Sequence, residues 1–97
     1  MSQLPGGTLI AQGIIDYAAG RITPMSCLVA IGWPRLYRAG IALHNLTPNR
    51  IPNPEHQLYT LLGQETGDAY SRYNSLIRQL VSFEHSVEKQ NEKNKRG

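Results

Sequence analysis

Six prolines in a chain of 97 residues constrain its fold more than any other feature. Each lacks the N–H that a helix ladder needs and pushes the residue before it out of the α region. Their positions relative to capping side chains therefore decide where helices start and stop. Thr23-Pro24 is a hydroxyl cap followed by proline at the first helical position, where the missing N–H costs nothing. Asn53-Pro54-Glu55 repeats the signal and adds a first-turn acid. Trp33-Pro34 does the reverse, interrupting the apolar positions Met25, Leu28, Val29 and Ile31. The second helix is expected to stop near Gly32, with a short helix restarting from Pro34 through Arg38 and ending at Gly40. Residues 44–54 hold three of the prolines and read as an extended, proline-rich connector.

Between these marks the apolar spacing is helical. Leu9, Ile10, Ile14, Ile15 and Tyr17 predict a first helix over 9–19, with Thr8 as its cap, Gln12 and Asp16 on its polar side, and Gly20 as a left-handed stop. From Pro54 the chain reads helical through Leu58, Leu61 and Leu62 to a break near Gly63–Gly67, with Thr66 or Asp68 capping again. Tyr73, Leu76, Leu80, Phe83 and Val87 then alternate spacings of three and four, and Ile77 and Val81 widen the stripe. That seam is shorter than the roughly three to four heptads of a coiled coil, so it is expected to pack onto the other helices or a partner. No strand-like alternation competes. The expectation is an all-α fold: a small helical domain of three to four helices with a long C-terminal helix. One domain spans 1–97, with a flexible arm at 1–7, the connector at 44–54, and a charged tail at 88–97 that frays for want of apolar residues.

A chain of this length buries only about two thirds of its unfolded surface, and with 40% apolar and 7% aromatic residues it leaves room for a partner to complete the core. Cys27 is the single cysteine, which excludes an intramolecular disulfide and suits a small hydrophobe beside Leu28 in a reducing compartment. No stretch has the roughly 20 apolar residues of a membrane span. Met1-Ser2-Gln3-Leu4-Pro5 lacks the basic and apolar regions of a signal peptide, which points to the cytoplasm.

The net charge of +3 lies wholly in residues 1–50, where Arg21, Arg35, Arg38 and Arg50 face only Asp16 (4 − 1 = +3), while six basic residues balance six acidic ones in 51–97. Nucleic-acid modules concentrate charge more heavily, so these arginines suit an ordinary surface or an Arg-rich protein interface better. A helix-turn-helix around Gly32 fits poorly, with Leu28 where close packing wants a small residue and Arg38 where the second helix faces the core. Catalytic groups are sparse. Cys27 could be paired on paper with His44, His56 or His85, but it sits in an apolar helix without an activating charge. The histidines form no ligand set with one another or with Cys27. Glu84 and Glu88, one turn apart, could share a metal, yet beside Phe83 and Val87 they read as a solvated face. Pro5-Gly6-Gly7 has neither the lysine nor the length of a phosphate loop. No catalytic residue, metal or cofactor is expected. Arg35 and Arg38 share a face beside Trp33 and Tyr37, side chains common among interface anchors. Trp33 reads equally well as core. With Arg50 of the connector, Trp33, Arg35, Tyr37 and Arg38 form the candidate partner-binding set. Six X-Pro bonds also give scope for cis isomers that exchange over tens of seconds.

Leu4-Pro5-Gly6-Gly7-Thr8, the run from Ile15-Asp16-Tyr17 through Gly20-Arg21-Ile22-Thr23-Pro24, Trp33-Pro34-Arg35-Leu36-Tyr37 and the length resemble the small anti-RecBCD proteins of lambdoid phages of the Salmonella type. These are the RecC-binding members of the anti-RecBCD pair. The resemblance covers the whole chain. It implies a phage protein of the host cytoplasm that binds the RecC subunit of the RecBCD helicase–nuclease, alters its nuclease and Chi-dependent recombination, and so protects phage DNA. It also implies help from a host prolyl isomerase. It assigns no contact residues. The alternatives are a small DNA-binding phage regulator and a helical assembly subunit using the Tyr73 to Val87 seam.

Overall fold

Three helices begin where Thr23-Pro24, Trp33-Pro34 and Asn53-Pro54 stand. In the computed structural model, residues 6–41, 43, 46, 47, 50–65 and 67–96 are described, with 91–96 described for their backbone alone. The five helices are α1 (Gly7–Ala18), α2 (Pro24–Ile31), α3 (Trp33–Arg38), α4 (Pro54–Glu65) and α5 (Ala69–Arg96), with no strand among the described residues. At α2 the Thr23 hydroxyl accepts the Ser26 N–H at 3.2 Å while the Ser26 hydroxyl accepts the Thr23 N–H at 2.8 Å, a reciprocal cap. At α4 the Asn53 carbonyl accepts the Gln57 N–H at 3.0 Å, with Asn53 itself in the left-handed region at φ 47°. Asp68 caps α5, its carboxylate accepting the Ser71 N–H at 3.3 Å. The expected stops at Gly20 and Gly40 are left-handed, at φ 79° and 90°.

Three expectations are corrected. Among the described residues there are five helices rather than three or four, because the Trp33-Pro34 break and the Asp68 cap each separate a complete helix. α1 starts at Gly7 with Gly6 as its cap, so Thr8 lies inside the helix and its hydroxyl does not cap it. The charged segment after Glu88 stays helical to Arg96. Adding residues to a formed helix is far easier than nucleating one, and Lys, Glu and Gln are strong helix formers that need no apolar neighbour to propagate it. Residues 1–5 of the expected arm, and His44, Asn45, Pro48 and Asn49 of the connector, lie outside the described residues, as does Thr66. Within the described remainder of the connector, Ile51 is buried and Leu46 half-buried against the core, while Thr47, Arg50, Pro52 and Asn53 are exposed.

α2 is the central element and packs against each of the other four helices. Its Cys27, Leu28 and Val29 are fully buried among Ile10 and Tyr17 of α1, Leu36 of α3, Leu58 of α4 and Phe83 of α5. The seam on α5 faces inward as its spacing requires, with Leu76, Leu80, Phe83 and Val87 buried. At about 1.5 Å per residue, the 28 residues of α5 account for most of the 47 Å long dimension.

α1 and α2 approach closely at Gly13, where a Cβ would stand 2.4 Å from the Met25 carbonyl oxygen. Asp16, expected on the polar side of α1, is buried instead, while Ile15, expected on the apolar side, is 56% exposed. The cause is a ring of donors around the carboxylate. Oδ1 accepts from Arg21 Nη2 at 2.9 Å and Gln12 Nε2 at 3.1 Å, and Oδ2 accepts from the Thr23 hydroxyl at 2.8 Å. The Thr23 and Arg21 bonds hold the Asp16 carboxyl below its ordinary value, against the opposing effect of burial.

Gly13→Ala is expected to destabilise by about 1–3 kcal/mol through overpacking. Gly63→Ala, inside α4 with no atom within 4 Å of the new methyl, is expected to stabilise by about 0.5–1 kcal/mol. Urea unfolding of the two variants checks both signs. Because folded Asp16 releases its proton more readily than unfolded Asp, its contribution is complete above the unfolded value of about 3.9 and is lost as pH falls through the lower folded value. Asp16→Asn is thus expected to lower the melting temperature at pH 7, and the deficit to shrink in acid.

Candidate interaction surface

Of the five candidate residues, the fold keeps three for itself. Trp33 is half-buried, its ring 5.2 Å from that of Tyr17 and tilted by 38°, so the side chain closes the core between α1 and α3. Arg50 serves the same tyrosine. Its N–H donates to the Tyr17 hydroxyl at 3.2 Å, its Nη1 donates to the Tyr17 carbonyl at 3.1 Å, and the Tyr17 hydroxyl donates to the Thr47 carbonyl. A cation over the last carbonyls of α1 also suits the negative end of that helix. Arg50 therefore ties the connector down.

Arg35 reaches across to α5. Its Nη2 and Nε donate to the two Glu88 oxygens at 2.8 and 3.1 Å, a bidentate pair, and Nη1 approaches Glu84 Oε1 at 3.5 Å. The expectation that Glu84 and Glu88 form a solvated face is corrected, since Glu84 is only 4% exposed. Burial pushes its carboxyl above the ordinary value, and Arg35 pulls against that; Glu88, bonded directly to Arg35, is held below. The buried glutamate is possible because Gly32 faces it, at a point where a Cβ would lie 2.9 Å from Glu84 Oε2 and 3.0 Å from Leu80. The α2–α3 break thus lets α5 pass close by. Sequence reading missed this clasp because its members lie 49 and 53 residues apart; the signal was Glu84 standing beside Phe83 on the seam.

Tyr37 and Arg38 remain outward. Tyr37 is 54% exposed, and Arg38 donates from Nε to the Pro34 carbonyl, one turn back in α3, with the Glu88 carboxylate also within reach of its charge. Arg38 borders a groove of about 340 Å³ between the α2–α3 corner and α5, floored by Ile31, Ile77, Leu80 and Val81, with Arg35 and Glu84 at one end. Val81, expected to widen the buried stripe, is 38% exposed here. A separate, shallow depression on α5 is lined by Ser71, Asn74, Ile77 and Arg78.

The chemistry of the remaining candidates is limited. Cys27 is fully buried, and burial pushes its thiol up to about 11, so it carries no thiolate near neutrality. His56 and His85 are exposed, and His44 lies outside the described residues. Among the described residues no three His, Cys, Asp or Glu side chains gather as metal ligands, and no helix is long and apolar enough to cross a membrane. No family model matches the chain, and neither a curated protein nor a solved structure does.

Arg35→Ala leaves Glu84 buried without its counter-charge, the costly half of a broken ion pair. The variant is expected to melt at a lower temperature than the wild type at pH 7, with the deficit narrowing as acid protonates the carboxyls. Glu84→Gln in the Arg35→Ala background is expected to recover most of the loss in thermal melts.

Proposed function

We propose that the chain is a non-catalytic binding module that engages a larger protein through its α3–α5 face, and that the partner is the one implied by the resemblance, host RecBCD held through RecC. The observation that carries the binding half is an exposed Arg38 lining an apolar groove, with exposed Tyr37 next to it in α3, in a fold whose described buried polar side-chain atoms all have hydrogen-bond partners. The named partner rests on the sequence strings alone. In this reading the protein alters the nuclease and Chi response of RecBCD in the host cytoplasm and so spares phage DNA ends. A prolyl isomerase would act on the proline-rich connector before docking.

The two alternatives fit less well. A DNA-binding regulator is favoured by a concentrated basic face, yet three of the four first-half arginines are engaged internally: Arg21 with Asp16, Arg35 with Glu84 and Glu88, and Arg50 with Tyr17. An assembly subunit needs the α5 seam exposed, and Leu76, Leu80, Phe83 and Val87 are already covered.

Purified protein is expected to co-purify with RecBCD and with RecC alone, and to change Chi-dependent cleavage at saturation. Tyr37→Ala with Arg38→Ala is expected to weaken capture by about tenfold or more, the scale of a lost anchor pair, with circular dichroism unchanged. An unaltered nuclease and Chi response at saturating protein contradicts the reading.

A further inference from the structure

Glu84 is only 4% exposed, yet its carboxylate is half engaged. Arg35 gives its short bonds to Glu88, at 2.8 and 3.1 Å, and reaches Glu84 Oε1 only at 3.5 Å, the outer limit of a hydrogen bond. Glu84 Oε2 makes no hydrogen bond among the described residues. No side-chain oxygen or nitrogen among them is both fully buried and without a partner, so Oε2 keeps an open side. The groove between the α2–α3 corner and α5 is that side. Glu84 lines it, and Oε2 lies against Gly32, which lines it too, 2.9 Å from where a Cβ would stand. An ionised oxygen in an apolar cleft without a donor of its own is a receptor for one.

The rest of the groove decides which donor. Ile31 and Pro34 form one wall and Ile77, Leu80 and Val81 the other, with about 340 Å³ between them. The charges cancel: Arg35 and Arg38 line the groove against Glu84, and Glu88 is bonded to Arg35 and within reach of Arg38, with His85 exposed beside both carboxyls. An incoming ammonium or guanidinium meets Arg35 at the same carboxylate, and an incoming carboxylate or phosphate meets Glu84 itself. A purely aliphatic side chain covers Oε2 without bonding it and leaves a desolvated charge. A hydroxyl on a short stem satisfies Oε2 and leaves the apolar walls bare. A neutral, broad apolar body tipped with a single donor fits both requirements. Indole is such a group: its N–H donates, nothing on it accepts, and its ring supplies the contact area of an interface anchor. A phenol carries the same donor on a smaller ring, with acceptor lone pairs beside it, and is the nearest competitor.

We propose that this groove seats a tryptophan side chain of the protein partner, its ring over Ile31, Ile77 and Val81 and its indole N–H bonded to Glu84 Oε2. The inference rests on the reading of the chain as a protein-binding module and names the anchor that such a module takes. A small indole presents the same chemistry and serves as the probe.

The test titrates full-length chain, labelled at amides and methyls for NMR, with N-acetyltryptophanamide and with the same compound methylated at the indole nitrogen, which keeps the ring and removes the donor. The first is expected to shift the Gly32 amide and the Ile31, Ile77 and Val81 methyls, and to bind about tenfold more tightly than the second, the scale of one hydrogen bond to a charged acceptor. Glu84→Leu is expected to make the two probes equal. Val81→Arg, at a partly exposed position on the groove wall, is expected to abolish binding of both with the fold intact by circular dichroism. Equal affinity of the two probes for the wild-type chain, shifts centred elsewhere, no shifts up to roughly 10 mM probe, or tighter binding of N-acetyltyrosinamide would overturn the assignment, and each of these is read on the wild type without a variant. RecBCD capture is scored separately. A Val81→Arg chain that still captures RecBCD like wild type refutes the groove as the partner's seat and leaves the partner standing. A wild-type chain that fails to capture RecBCD refutes the partner, and the probe titration still judges the groove.

Discussion

The buried carboxylate of Asp16 is the constraint on which the rest of the structure depends. It collects Gln12 from its own helix, Arg21 from the turn and Thr23 from the cap of α2. In doing so it sets the angle and distance at which the chain returns. Thr23 is at once a ligand of Asp16 and half of the reciprocal cap of α2. The electrostatic latch and the start of the central helix are therefore one structure. Since α2 touches every other helix, an error in its entry angle would propagate to α3, α4 and α5 together. Close packing at Gly13 makes the arrangement unforgiving, because a methyl group there would collide with the α2 backbone.

The second consequence is electrostatic. The positive surplus of the first half looks in sequence like an available basic surface, but the fold spends most of it internally: Arg21 on Asp16, Arg50 on the C-terminal carbonyl of α1, Arg35 on the α5 glutamates. Of the four first-half arginines, Arg38 is the one left at the edge of the apolar groove. That distribution is the basis of the proposal that the chain recognises a shaped protein surface.

Helix boundaries were legible because proline and its capping partners act locally. Thr23-Pro24, Trp33-Pro34 and Asn53-Pro54 place three helix starts without tertiary information, and the spacing from Tyr73 to Val87 identified the inward face of α5. The site was less legible. Asp16 and Glu84 read as polar surface because periodicity sees only hydrophobicity, whereas their burial depends on donors brought in from elsewhere, five to seven residues away for Asp16 and about fifty for Glu84. Arg35 and Arg50 were ranked as contacts because residue type favours interfaces, a preference blind to internal carboxylates and helix ends. Tyr37 and Arg38 kept their outward position because α3 is too short to bury more than one face, and Leu36 takes it.

The central claim is that the α3–α5 face is where this protein meets its partner. Hydrogen–deuterium exchange of the full chain, alone and with the proposed partner RecBCD added, tests it most directly. The account requires added protection in α3 and along residues 74–85 of α5, with the α1–α2 pair unchanged. Protection confined to α1 or to the outer face of α4, with α3 exchanging as in the free chain, would contradict it.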